Sequence, residues 1–140
     1  MVDYEKMDVG TAKVKQSHAL VQIEGVAVAP TIERGFQDAK VDQLVFWVYD
    51  KSGIVGVQLY RDQILMYNHD MMMKMSAAEA FGALENIVKA SSESKIPVTV
   101  KGVIFGARTI DHTEGYQQIG YVRMHQLLFD GRNIEFKEQY

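Results

Sequence analysis

Residues 44–60, LVFWVYDKSGIVGVQLY, limit what this chain can fold into more than any other stretch. Two runs of β-branched, aliphatic and aromatic residues flank DKSG, a sequence suited to a tight hairpin turn. That turn sets a register. Tyr49 is predicted to face Ile54, Val48 to face Val55, Trp47 to face Gly56, and Phe46 to face Val57. Further from the turn, Val45 faces Gln58, Leu44 faces Leu59, and Gln43 faces Tyr60. Side chains alternate across a strand. One face of the hairpin is therefore Leu44, Phe46, Val48, Val55, Val57 and Leu59, all apolar, and is predicted to be core. The other is Gln43, Val45, Trp47, Tyr49, Ile54, Gly56, Gln58 and Tyr60, where three aromatic rings stand among amides and a glycine. A slip of one residue would mix the two sets, so their separation supports the register.

The rest of the chain supplies more strands and a helix. Residues 1–10 are polar and acidic and read as a loose arm. A β-rich run, AKVKQSHALVQIEGVAVAP, ends at Pro30, with Val21 and Ile23 on one face and Gly25 where a bent strand needs a kink. TIERGFQDAK (31–40) reads as a long loop. ILMYNHDMMMKM (64–75) shows no clear period, and its methionines read as core filler ahead of a helix. That helix is announced by Ser76 and Glu79 at capping-box spacing. Its apolar stripe is Ala77, Ala80, Phe81, Leu84, Ile87 and Val88, and SSESK closes it before Pro97. VTVKGVIFGA (98–107) reads as a strand, RTIDHTEGYQQ as a polar loop, and IGYVRMHQLLF (119–129) as the last long strand. DGRN then turns the chain into a short tail, 131–140.

The element order is strand, loop, strand, hairpin turn, strand, helix, strand, loop, strand. In that order the chain resembles an OB-fold, carried by VQIEGVAVAP, FWVYDKSGIVGVQLY and VTVKGVIFGA over residues 12–130. Glycines inside the first and fourth strands and a D-x-x-G turn between the second and third add to the likeness. The resemblance implies a mainly β domain, a five-stranded Greek-key barrel with one helix between strands three and four. A different α+β sheet with one packed helix is the alternative. The whole chain, 1–140, reads as a single domain.

Composition narrows the function classes. Hydrophobic residues make up 47% and charged residues 24% of 140 residues, as expected of a globular domain. With no cysteine, a disulfide scaffold, a thiol nucleophile and a thiolate metal site are excluded. The N-terminus lacks a signal-peptide pattern and no apolar run is long enough to span a membrane, so an intracellular location, cytoplasmic or nuclear, is expected. His18, His69, His112 and His125 have no metal-ligand spacing, so no metal or other cofactor is expected. Phosphate-binding glycine loops and the hydrolase nucleophile elbow are absent, and Ser17-His18 has no visible third partner, so an enzyme is not expected. The net charge of −3 requires any polyanion binding to depend on local cations.

The aromatic face is the candidate site. In OB-folds this sheet face, with the loops after strands one and four, binds oligonucleotides or oligosaccharides. The resemblance implies single-stranded DNA or RNA as partner, DNA first, with Trp47, Tyr49 and Tyr60 stacking bases. Arg34, Arg61, Lys101 and Arg108 would contact phosphates, while Phe36 and Tyr116 would close the loops over the strand. The other reading covers the same face, or the methionine-rich segment 71–75, with protein. The chain would then be a non-enzymatic assembly subunit or homo-oligomer.

Overall fold

A computed structural model describes residues 3–34, 41–61, 77–111 and 115–135. Among them are seven strands and two helices: β1 (Glu5–Lys6), α1 (Val9–Ala12), β2 (Leu20–Arg34), β3 (Val41–Asp50), β4 (Gly53–Tyr60), α2 (Ala77–Ser94), β5 (Val98–Asp111), β6 (Gly115–Phe129) and β7 (Arg132–Glu135).

The β3–β4 hairpin has the register its sequence implies at every pair, from Gln43 with Tyr60 to Tyr49 with Ile54. Its inward face is sealed: Leu44, Phe46, Val48, Val57 and Leu59 are 0% exposed and Val55 is 2%. The strand order β2-β3-β4-β6-β5, with β5 returning to β2, closes a five-stranded barrel around that face. Every neighbouring pair in the barrel is antiparallel except β4 with β6, which run parallel. This closed Greek-key path, with α2 between the third and fourth barrel strands, is that of an OB-fold.

Two glycines permit the closure. A Cβ at Gly25 would fall on the Tyr49 carbonyl, and one at Gly102 on the Arg123 carbonyl, so neither position of the bent strands accepts a side chain. The helix α2 buries Ala80, Phe81, Leu84, Ile87 and Val88, the stripe its period requires. Near its end, the fully buried Ser91 accepts from the Ala27 backbone N–H (3.0 Å) and donates to the Ile96 carbonyl (2.7 Å). That hydroxyl ties helix to barrel. Ser76 and the methionine run 71–75 lie outside the described residues.

Four expectations are corrected. Residues 3–10 are no loose arm, since Glu5 and Lys6 pair in parallel with Val21 and Gln22, and α1 buries Val9 and Ala12 completely. The hairpin turn holds α1 in place: Val9 N–H donates to Asp50 Oδ2 (3.0 Å) and Gly10 N–H to Ser52 Oγ (2.7 Å). Polar composition hid these few apolar contacts. Secondly, β2 does not stop at Pro30. A register shift between Val28 and Thr31, with Ala29 at φ 53°, puts the proline in a bulge where no ladder N–H is needed. Thirdly, 108–111 and 115–118 are not loop, because β5 and β6 stay paired out to Asp111 and Gly115. Polar composition there does not mark the end of backbone pairing. Lastly, the tail begins as a strand. Asp130 and Gly131 both have positive φ (49° and 79°), the hairpin geometry their sequence favours, and β7 folds back on β6. No described helix is long and apolar enough to cross a membrane.

Candidate functional site

The outer face of the hairpin continues across the barrel. Trp47 stands opposite Val28 on β2 and Gly56 on β4. Gly56 stands beside Tyr121 on β6, and Tyr121 opposite Phe105 on β5. These pairings make one row, Val28–Trp47–Gly56–Tyr121–Phe105, crossing five strands. At about 4.8 Å per strand it is roughly 19 Å long.

Each member has a distinct environment. The Trp47 ring lies over Gly56, where an added Cβ would sit 3.4 Å from it, yet the residue stays 43% exposed. One side of the indole covers backbone and the rest meets solvent. Phe105 and Tyr121 stack at 6.0 Å between centroids and 21° between planes. His18 meets Phe105 edge-on at 5.4 Å. Two residues after Tyr121, the Arg123 guanidinium lies 4.0 Å from the Phe105 centroid and 4.7 Å from that of Tyr60. The row thus carries a cation held between two rings.

Hydroxyls connect the same cluster. Tyr60 donates to Gln58 Oε1 at 2.7 Å. Burial raises the Tyr121 pKa above its ordinary value of 10.0; the hydrogen bond to Tyr60 and the Tyr60 charge raise it further, against the opposing pull of Arg123. Tyr121 is therefore neutral. Among the described residues no cluster of three or more His, Asp or Glu is arranged to hold a metal ion.

The structure brings only some of the expected site residues together. Trp47 and Tyr49 share the outer face of β3, Tyr49 opposite Ile54 on β4 and Val26 on β2. Tyr60 joins the cluster through Arg123 and Gln58. Arg61 follows Tyr60 and is half-buried. Lys101 lies elsewhere. It is four residues from Phe105 along β5, about 13 Å, with its ammonium 5.9 Å from the Tyr4 ring. Tyr4 in turn bonds His125 Nδ1 at 2.8 Å. Arg34 ends β2 opposite Val41, and Arg108 and Tyr116 are paired strand positions, not loop residues. Phe36 lies outside the described residues.

Phe105, Tyr121 and Arg123 were missed by reading the sequence. Their strands alternate legibly in VTVKGVIFGA and IGYVRMHQLLF. What joins them to Trp47 is the parallel β4–β6 pair, which no local turn announces. The resulting surface can stack planar groups and places a positive charge among them.

No family model and no curated protein matches the chain. Among solved structures it is similar to asparaginyl-tRNA synthetase from Pyrococcus horikoshii complexed with asparaginyl-adenylate, at 13% identity and a TM-score of 0.48, over 97% of this chain and 24% of that one. A second structure of asparaginyl-tRNA synthetase from the same organism gives 14% and 0.46, over 99% and 25%. The chain spans about a quarter of the synthetase's length.

Proposed function

We propose that this chain binds single-stranded nucleic acid, DNA in the first instance, on the outer face of its barrel and without catalysing a reaction. The observation that carries this reading is the row of Trp47, Tyr121 and Phe105 with Arg123 among them. Rings spaced across neighbouring strands of the barrel offer platforms to bases, each stacked base contributing about 1–3 kcal/mol. The Arg123 charge favours a polyanion locally although the chain is acidic overall. Trp47 is the sole tryptophan, so its fluorescence reports on the site. Titration with oligo-dT and, in parallel, with oligo-U at low salt is expected to quench it. Unchanged fluorescence together with unchanged electrophoretic mobility of both oligonucleotides would overturn the proposal.

A second reading has its own support. Around Trp47 the face is also aliphatic, with Val26 and Val28 on β2 and, nearer the hairpin turn, Ile54 on β4, the last 45% exposed. These aliphatic side chains suit a protein surface in a non-enzymatic assembly. Under this reading Trp47→Ala dissociates a complex detected by light scattering, and oligonucleotides leave the fluorescence unaltered.

A further inference from the structure

The position of one amide points to the kind of base this face selects. Gln58 is two residues beyond Gly56 on β4, on the same outer face, with Val45 opposite on β3 and Arg123 beside it on β6. A base stacked on Trp47 lies about 7 Å along the strand from Gln58, within reach of that side chain.

The orientation of the amide follows from its neighbours. The Tyr60 hydroxyl donates to Gln58 Oε1 at 2.7 Å. With that oxygen engaged by Tyr60, the Nε2 hydrogens are the donors that the Gln58 amide offers to a base. Arg123, beside it, also carries only donors. The neighbouring amide oxygen, Gln43 Oε1, is buried. The polar edge of the aromatic row is thus a donor edge.

Resting on the nucleic-acid reading above, we propose that Gln58 selects bases with an exocyclic carbonyl, thymine or uracil, over bases with an exocyclic amino group, such as cytosine. The thymine O4 accepts where the cytosine N4 amino group donates. A cytosine placed the same way sets two donors against each other and leaves both without an acceptor. Tyr60 acts as a positioning residue, holding the amide in the orientation that makes the choice.

The test compares homo-oligomers of thymidine and deoxycytidine, roughly twelve nucleotides long and within the range a single OB barrel occupies. Titration of the wild-type chain is expected to show about three- to tenfold tighter binding of the thymidine strand, the effect of one hydrogen bond. Gln58→Glu keeps an acceptor for Tyr60 and removes the donor, so it is expected to abolish or reverse the preference. Tyr60→Phe frees the amide to rotate and is expected to narrow the preference while both strands still bind. Circular dichroism confirms that each variant is folded. Equal wild-type affinity for the two strands overturns this inference and leaves the binding proposal standing. A thymidine preference that survives Gln58→Glu comes from strand flexibility and also overturns it. Failure to bind either strand overturns both proposals.

Discussion

Trp47 does two jobs with one ring: it covers the bare backbone of Gly56 and presents the remainder to solvent. Trp47→Ala is expected to weaken single-strand binding by about 1–3 kcal/mol, measured by anisotropy of a labelled oligonucleotide because the variant has no tryptophan. Its stability should fall by less than the roughly 3–5 kcal/mol of an aromatic core truncation, since the ring is not enclosed. Ser91 presents the opposite case. It touches no proposed ligand, yet its hydroxyl satisfies the Ala27 N–H and the Ile96 carbonyl deep in the fold. Ser91→Ala strands both, and urea unfolding should show a loss of about 1–3 kcal/mol with binding per folded molecule unchanged.

Among the elements, the coupling of α1 to the β3–β4 turn is the most exposed to chemistry. Burial pulls the Asp50 carboxyl up, but hydrogen bonds from the Ser52 side chain and the backbone N–H groups of Val9, Ser52 and Gly53 outweigh it, and its pKa sits below the ordinary 3.8. The folded state therefore favours the carboxylate. Its contribution is fully present above pH 3.8 and is lost as pH falls through the lower folded value. Asp50→Asn should lower the melting temperature near neutral pH and flatten the acid side of the stability profile, as read from thermal melts through the carboxylate range. A variant with the wild-type acid slope would show that the turn does not hold α1 through this charge. The α2 stripe and the hairpin faces were legible beforehand because each is a local period on one element. The continuation of β2 past Pro30 was not, because only the pairing partner shows that the proline lies in a bulge.

For the whole molecule, charge and closure set the limits. A net charge of −3 offers no general attraction for a polyanion. Arg61 and Arg123 are cations near the proposed path, and Lys101 adds at most one more from about 13 Å along β5, where its ammonium is partly committed to Tyr4. Each phosphate neutralised on a single strand adds about −0.7 to the slope of log affinity against log salt. The slope should therefore be no steeper than about −2, obtained from titrations over a series of salt concentrations. A much steeper slope would assign the binding to a cationic surface other than this face.

The sequence by itself determined the hairpin register, the division of its two faces and the apolar stripe of α2. Alternation and turn chemistry act between residues close in the chain, so the local pattern is enough to specify them. It did not determine which strands become neighbours around the barrel. Period two places Phe105, Tyr121 and Trp47 on faces but cannot say that those faces are one surface. That was decided by the parallel β4–β6 pair and the return of β5 to β2, contacts between distant segments that depend on burying a common core. The docking of α1 on the turn was decided the same way, through a carboxylate and a hydroxyl about 40 residues further along the chain. Of the three rings on the hairpin's outer face, Trp47 became part of a row five strands wide only once the barrel closed.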